Sequence, residues 1–185
     1  MEEINAVAGG EMSGHVYFLR NNRADDAVFA FSELLLLTAK ELQFKKMNAV
    51  DGMLADFLKR YVNTPEIRIP VVSDEEKERV CDVVENYYRK LATKNPEKYR
   101  RRTDDSGKDI DGVKMEFVEE NGWALVRRSN TSPVIILRME ARTEEGLGKI
   151  EEHVIKKFQE FETVDLKDDE YVRKIVQRIK LFKHS

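Results

Sequence analysis

The sequence has few of the residues that build disulfide scaffolds, metal clusters and membrane spans. Its 185 residues include one cysteine, Cys81, and three histidines. A single cysteine excludes an internal disulfide and any metal cluster built on several cysteines. No apolar run approaches the roughly 18 residues of a spanning helix, and the first residues lack the basic and apolar regions of a secretory signal. We therefore expect a cytoplasmic protein that does not enter a membrane, with Cys81 in its core.

The sequence also lacks a strong excess of one charge. It contains 32 basic and 35 acidic residues, which are interspersed and give a formal net charge of −3 at pH 7. Such a balance creates no field over the whole molecule that would attract nucleic acid or an anionic membrane. The basic run at Lys98 and Arg100–Arg102 matches no nucleic-acid-binding motif, and we interpret it as part of a solvated loop. We expect no nucleic-acid partner, so any anion site must be local.

Hydrophobic periodicity predicts an α+β chain with two unequal parts. Residues 1–64 contain a short strand followed by helices, and the helix over residues 26–41 is apolar on nearly every side. Such a helix is typical of a large layered core, whereas a unit of about 65 residues buries a limited share of its surface. We therefore predict that residues 1–64 are the remnant of an α/β domain from which packing partners are missing.

The second part, residues 65–161, follows the order strand, helix, three strands and helix. Ser73 and Glu76 have the spacing of a capping box at the start of the first helix, and Thr143 is suited to cap the second. We expect a four-stranded, mainly antiparallel sheet with two helices on one face. The apolar spacing in residues 162–185 predicts an extra helical tail. Its apolar face can pack either on its own domain or on a partner chain.

One loop between two apolar strands is rich in hydrogen-bond donors. It reads Arg127-Arg128-Ser129-Asn130-Thr131-Ser132-Pro133. An arginine fork can bind two phosphate oxygens, and the hydroxyl and backbone N–H groups of a tight turn can complete an anion site. The spacing by itself leaves two interpretations open, a phosphate-binding loop and an ordinary polar hairpin.

A second loop, near the start of the chain, combines a carboxylate, a hydroxyl and an imidazole. It reads Gly9-Gly10-Glu11-Met12-Ser13-Gly14-His15. The carboxylate of Glu11 can accept hydrogen bonds from two adjacent sugar hydroxyls, while Ser13 and His15 can add donors or acceptors. Taken alone, this pattern also fits a structural loop that leads into a strand.

Together, the two loops resemble those of the α-D-phosphohexomutases. Residues 111–140 are similar to the C-terminal domain of this family, whose signature is an Arg-x-Ser-Asn-Thr-x-Pro loop. The Gly-Glu-Met-Ser-Gly-His segment resembles the sugar-specificity loop in the family's third domain. The resemblance covers residues 6–160. It implies the end of the third domain followed by the fourth domain of a bacterial phosphomannomutase/phosphoglucomutase, an isomerase of carbohydrate metabolism.

The resemblance also implies roles for individual residues, with a hexose phosphate as the ligand. The residues that would hold its non-reacting phosphate are Arg127, Ser129, Asn130 and Thr131. Glu11 and Ser13 would bind sugar hydroxyls, and His15 would contact phosphate or transfer a proton, as an imidazole can near neutral pH. Met12 favours the mannose/glucose branch of the family over the glucosamine branch.

The catalytic elements of the family are not found in this sequence. The family moves phosphate between C1 and C6 of a hexose phosphate, using a phosphoserine, Mg²⁺ and a hexose bisphosphate intermediate. Neither a Thr-Ala-Ser-His-Asn-Pro-like segment nor an Asp-Gly-Asp-Gly-Asp-Arg metal loop occurs here. The nearest acidic cluster, Asp105, Asp109 and Asp111, lacks the spacing of a calcium loop, so we expect no metal site. We expect Mg²⁺ and hexose bisphosphate in the complete enzyme. For this chain alone we expect no cofactor and no catalysis.

Two functions are therefore compatible with the sequence. In the first, the chain provides sugar and phosphate recognition to a phosphohexomutase, either as a fragment or with a complementary N-terminal mutase chain as its partner. In the second, it is a stand-alone, non-catalytic sugar-phosphate-binding or interaction module derived from that family. Sugar-phosphate binding by the isolated chain, and activity only with the complementary chain, would distinguish them.

Overall fold

The chain forms two compact units, residues 1–59 and residues 60–185. A computed structural model describes residues 6–10, 15–45, 61–104, 106–109 and 111–182.

The first unit contains a short antiparallel ribbon and one long helix. Its elements are β1 (Ala8–Gly10), β2 (Val16–Phe18), a 3-10 turn (Leu19–Asn21) and α1 (Ala27–Lys45). The two strands pair with Ala8 opposite Phe18. The Asp26 carboxylate accepts a hydrogen bond from the Phe29 N–H at 2.9 Å, which satisfies one of the free donors at the start of α1.

Helix α1 is apolar on several sides, and much of this apolar surface is exposed. Val28 is 81% exposed and Phe31 is 60% exposed, and the four leucines Leu34–Leu37 are about half exposed. Contiguous apolar surface of this kind usually marks an interface. Despite this apolarity, neither α1 nor any other helix in the described ranges is long and apolar enough to cross a membrane.

The second unit is an antiparallel sheet packed against helices. Its strands are β3 (Val62–Asn63), β4 (Ile67–Pro70), β5 (Tyr99–Arg102), β6 (Val113–Phe117), β7 (Gly122–Arg128) and β8 (Val134–Ala141). Its helices are α2 (Asp74–Lys94), α3 (Glu144–Phe158) and α4 (Glu170–Phe182). The strand order is β5-β6-β7-β8, and both β3 and β4 pair with the far side of β8. The predicted α+β class with a mainly antiparallel sheet is confirmed.

Alternate side chains of each strand enter one hydrophobic core between the sheet and the helices. The largest fully buried side chains of this core include Ile67, Ile69, Met115, Ile135, Leu137, Met139, Tyr88, Ile150, Ile155 and Phe158. The helices begin where the sequence predicts, because Ser73 Oγ accepts from the Glu76 N–H at 3.2 Å and Thr143 Oγ1 accepts from the Gly146 N–H at 3.0 Å. Each cap supplies an acceptor for an otherwise unpaired helix N–H group.

The sheet contains more strands than the sequence indicates. The basic run that we interpreted as a solvated loop forms the edge strand β5, in which Tyr99 packs edge-on against Phe117 with ring centroids 5.5 Å apart. At the other edge, Thr64 is fully buried and its N–H donates to the Met139 carbonyl at 2.9 Å. Strand β3 (Val62–Asn63) is therefore part of this sheet, and Thr64 extends its hydrogen bonding to β8.

The last helix shares the core of the second unit. Val172, Ile175 and Ile179 are buried, and α4 packs against α3. The two helices are also joined through the buried Glu151, whose carboxylate accepts a hydrogen bond from the Tyr171 hydroxyl at 2.5 Å. The described part of the predicted tail is thus a structural component of this unit.

A partly buried histidine, His153, lies among aromatic rings beside the same core. The His153 Nε2 atom is 3.3 Å from the Tyr87 hydroxyl oxygen. The His153 ring centroid is 5.2 Å from that of Phe117, 5.8 Å from that of Tyr99 and 6.0 Å from that of Tyr88. The rings around the imidazole therefore shield it partly from water.

We expect His153 to make the stability of the second unit depend on pH. Burial first, and the Lys156 ammonium second, lower the pKa of His153 in the folded chain. Above the pKa of the unfolded chain, about 6.5, His153 is neutral in both states and the folded chain keeps its full stability. As the pH falls from there toward the folded pKa, the unfolded chain binds the proton more tightly, and this stability is lost. Thermal melts should therefore show a Tm loss of a few degrees between about pH 7.5 and pH 5.5 that is smaller in His153→Phe. An equal loss in both proteins would contradict this assignment.

Candidate functional site

The loop between β7 and β8 contains the candidate phosphate-binding residues. The turn is closed by the Ser129 N–H, which donates to the Val134 carbonyl at 3.0 Å, and by a 3.1 Å contact between Ser129 Oγ and Ser132 Oγ. Ser129 is buried, whereas Asn130 and Thr131 are exposed at the tip. The loop thus uses one hydroxyl to close itself and presents its next two residues to solvent.

Arg127 lies on the face of the sheet opposite the helices. Its partner across the sheet is Ile136 of β8, which in turn lies opposite Arg68 of β4, so two arginines share one row of this face. The Arg127 side chain is 29% exposed, and its Nη1 atom is 3.5 Å from Asp111 Oδ2. This long contact is its single ion pair within the described part of the chain. The guanidinium is therefore accessible to an anion.

Arg128 leaves β7 on the other face, because side chains alternate along a strand. Its guanidinium donates to three carboxylates of helix α2, those of Glu78 at 2.6 Å, Asp82 at 2.5 Å and the buried Glu85. These partners occupy the donors that a phosphate would need. Arg128 anchors β7 to α2, and Arg127 is the arginine of the loop that can bind a ligand.

Lys77 of helix α2 is a residue of this site that sequence reasoning missed. Its side chain is buried, and its ammonium group donates hydrogen bonds to the carbonyls of Ser129 at 2.9 Å and Ser132 at 3.2 Å. A third hydrogen bond reaches Asp74 Oδ1 at 2.7 Å. The loop between β7 and β8 is therefore held from the helix side by a buried positive charge.

One pattern in the sequence could have revealed this lysine. Lys77, Cys81, Val84 and Tyr88 follow the spacing of an apolar stripe on an amphipathic helix. A charged residue in such a stripe must find buried partners, because a lone buried ammonium is unfavourable. The pattern marks Lys77 as unusual, but it does not say which carbonyl groups the lysine meets.

The candidate sugar-binding residues belong to the first unit. Glu11 and Ser13 lie outside the described residues. His15 directly precedes β2, is about half exposed, and places its Nε2 atom 3.4 Å from Asp25 Oδ2. The structure thus pairs this imidazole with a carboxylate of the same unit.

Asp109 and Asp111, the described members of the acidic cluster before β6, both pair with arginines. The Asp109 carboxylate accepts hydrogen bonds from Arg89 at 2.8 Å and from Arg101 at 3.0 Å. Asp105 lies outside the described residues. Across the described ranges, no three His, Cys, Asp or Glu side chains meet in an arrangement that could hold a metal ion.

Comparisons with known proteins match both units. Residues 66–157 match the family model of the phosphoglucomutase/phosphomannomutase C-terminal domain, and residues 1–61 match that of the alpha/beta/alpha domain III. The chain belongs to the phosphoglucomutase/phosphomannomutase family. It corresponds to the C-terminal portion of proteins in this family, as the two loops predicted.

Relatives in the family carry several mutase names. The chain is 32% identical over 157 residues to a phosphomannomutase/phosphoglucomutase of Pseudomonas putida, covering 82% of this chain and 28% of that protein. It is 29% identical over 151 residues to a phosphoglucomutase of Neisseria gonorrhoeae (82% and 29%). It is 31% identical over 157 residues to a probable phosphoglucosamine mutase of Methanococcoides burtonii (84% and 30%). The chain thus spans less than a third of the length of these relatives.

A solved structure shows a similar fold. The crystal structure of a phosphoglucomutase/phosphomannomutase family protein from Burkholderia thailandensis matches with a TM-score of 0.54 and 28% identity. The match covers 85% of this chain and 29% of that protein chain. The structural match therefore agrees in extent with the sequence matches.

Proposed function

We propose that this chain provides the hexose-phosphate recognition portion of a phosphohexomutase, an enzyme that moves phosphate between C1 and C6 of a hexose phosphate. The observation that carries the proposal is the arrangement around the β7–β8 loop. An accessible guanidinium, that of Arg127, stands at the start of a closed turn whose tip is exposed. Guanidinium, hydroxyl and backbone N–H donors in one turn are suited to bind phosphate oxygens.

Each residue of the loop has a distinct role in this proposal. Arg127 binds two oxygens of the non-reacting phosphate, and Asn130 and Thr131 donate to it from the tip. The Ser129 hydroxyl accepts a hydrogen bond from the Thr131 N–H at 3.4 Å, so its own proton can be donated to Ser132 or to a phosphate oxygen. Arg128 stays with the carboxylates of α2 and supports the strand.

The other end of the substrate is assigned to the first unit. We propose that Glu11 and Ser13 bind sugar hydroxyls, and that His15 contacts phosphate or transfers a proton. An imidazole is suited to both tasks near neutral pH, and the Asp25 carboxylate lies 3.4 Å from its Nε2 atom. Met12 supports mannose and glucose phosphates as the substrates. Phosphoserine chemistry, Mg²⁺ and the hexose bisphosphate belong, in this proposal, to the domains that this chain does not span.

The exposed apolar surface of α1 supports the need for those domains. Four consecutive leucines, Leu34–Leu37, are each at least half exposed. Covering them stabilises the assembly, since apolar surface removed from water contributes roughly 25 cal/mol per Å². We propose that the remainder of domain III covers this surface, either within the same polypeptide or as part of a complementary N-terminal mutase chain.

The proposal predicts activity only in the presence of that remainder. The 185-residue chain should bind glucose 1-phosphate in a calorimetric titration and show no mutase activity by itself. Adding an N-terminal portion of a bacterial phosphomannomutase/phosphoglucomutase that ends before the matched part of domain III should produce mutase activity. The same portion with alanine in place of its catalytic serine serves as the control.

Two other outcomes would change the assignment. Binding of glucose 1-phosphate without activity in the reconstituted mixture would favour the stand-alone binding module. That module is favoured structurally by the hydrophobic core of the second unit, which is built from its own strands and helices. Absence of both binding and activity would refute the proposed function.

A further inference from the structure

A buried ammonium group lies against the backbone of the β7–β8 loop. Lys77 is 6% exposed. A lysine ammonium has three N–H donors, and here they reach the carbonyls of Ser129 (2.9 Å) and Ser132 (3.2 Å) and the carboxylate of Asp74 (2.7 Å). The loop residues are 52 and 55 positions away along the chain. The contact therefore joins helix α2 to the candidate phosphate-binding loop.

Packing alone does not account for a lysine at this position. The stripe of α2 that contains Lys77 continues with the buried apolar residues Cys81 and Val84. Methionine has a similar length and would fill the space without the cost of removing an ammonium ion from water. What the ammonium does, and a thioether cannot, is donate hydrogen bonds to two loop carbonyls at once.

The position of those carbonyls determines where one loop N–H points. In a trans peptide the C=O of one residue and the N–H of the next point in nearly opposite directions. With the Ser129 carbonyl turned toward the Lys77 ammonium, the Asn130 N–H points away from it. The Ser132 carbonyl is turned toward the same ammonium, and the Pro133 nitrogen that follows has no N–H. The carbonyl oxygens of Ser129 and Ser132 thus both face helix α2. Neither lies on the opposite side of the loop, toward which the Asn130 N–H points.

We infer that Lys77 is a positioning residue for phosphate binding by this loop. Lys77 holds the carbonyls of Ser129 and Ser132 against helix α2 and so orients the Asn130 N–H toward the anion. Lys77 itself does not contact the anion. The identity of the anion rests on the proposed function. The orientation of the loop can be tested without knowing the anion.

The test uses the whole 185-residue chain with inorganic phosphate and glucose 1-phosphate as probes. Amide chemical shifts of Asn130 and Thr131 report binding. Lys77→Met should weaken binding of both probes about tenfold, the effect expected when an oriented donor to a charged group is lost, and should reduce the phosphate-induced shift at Asn130. Lys77→Arg, which keeps charged donors near the carbonyls, should recover part of the affinity.

Lys157→Met provides a matched control. The Lys157 side chain is 13% exposed, and its ammonium pairs with Glu160 at 2.5 Å and lies 4.5 Å from the centre of the Tyr87 ring. Removing it takes away a comparably buried charge from α3 rather than from beneath the loop. Binding of both probes by Lys157→Met should equal that of the unmodified chain, even where thermal stability falls.

The binding and hydrogen-exchange results decide whether Lys77 positions the loop. Unchanged affinity in Lys77→Met, or the same loss in Lys157→Met, would overturn the inference, since loop orientation would then not depend on Lys77. If the unmodified chain binds neither probe, the proposed function fails, and amide hydrogen exchange of residues 129–132 tests the loop alone. Faster exchange confined to these residues in Lys77→Met supports the positioning role, and unchanged exchange overturns it.

Discussion

Replacing Arg127 with alanine should weaken hexose-phosphate binding by about 100-fold, because a bidentate, charge-assisted pair with phosphate is lost. The folded chain should change little, since Arg127 is partly exposed and its ion pair with Asp111 is long, at 3.5 Å. Calorimetric titration of the reconstituted enzyme with glucose 1-phosphate measures the affinity. Arg127→Lys should show an intermediate loss, because lysine keeps the charge but lacks the planar fork.

Arg100 offers a matched control for this prediction. It is exposed on the edge strand β5 of the same sheet, so Arg100→Ala removes the same charge from the same unit. Its affinity for glucose 1-phosphate should be close to that of the unmodified enzyme. Equal weakening by Arg100→Ala and Arg127→Ala would mean that net charge, and not the loop, governs binding.

Replacing Gly112 with alanine should destabilise the second unit by about 4 kcal/mol or more, combining backbone strain with a steric clash. Gly112 has a φ of +75°, where a side chain is strained, and an added Cβ atom would lie 2.2 Å from the Val126 carbonyl oxygen. The same Cβ atom would lie 2.7 Å from Arg127 Cβ. The clash is with the strand that leads into the phosphate-binding loop. Urea denaturation, followed by circular dichroism, measures the loss.

Gly107 separates the two contributions to this loss. Its φ is +81°, but an added Cβ atom would have nothing within 4 Å. Gly107→Ala should therefore cost only the backbone term of roughly 1–2 kcal/mol. If Gly107→Ala and Gly112→Ala were equally destabilising, the close approach of Gly112 to β7 would not be the cause.

Strands were predictable where apolar residues alternate and missed where they do not. Strand β6 alternates and β8 begins with an apolar run, and β6, β7 and β8 are the three strands predicted between the two helices. Strand β5 reads Tyr-Arg-Arg-Arg and offers a single apolar side chain. It forms because Tyr99 packs on Phe117 and the backbone completes the edge of the sheet beside β6. That pairing depends on a partner strand and not on the strand's own pattern.

Part of the candidate site could also be derived before the structure was known. The resemblance to the family's Arg-x-Ser-Asn-Thr-x-Pro loop pointed to Arg127, and strand alternation added only that Arg127 and Arg128 lie on opposite faces of the sheet. The supporting residues could not be derived in the same way. The three carboxylates that hold Arg128 are 43 to 50 residues away along the chain, at Glu78, Asp82 and Glu85.

By itself, the sequence determined the family, the α+β class, the helix caps and the two loops that carry the candidate residues. These features depend on residues a few positions apart, whose geometry follows from the helix and strand periods and from short capping and turn patterns. Only the tertiary structure showed that Arg127 is accessible, that Arg128 is occupied and that Lys77 holds the loop. Those facts depend on how α2 packs on the sheet, since this packing brings Arg128 and Lys77 to partners that are distant in the sequence. A buried charge is tolerated only where folding places such partners within hydrogen-bond distance.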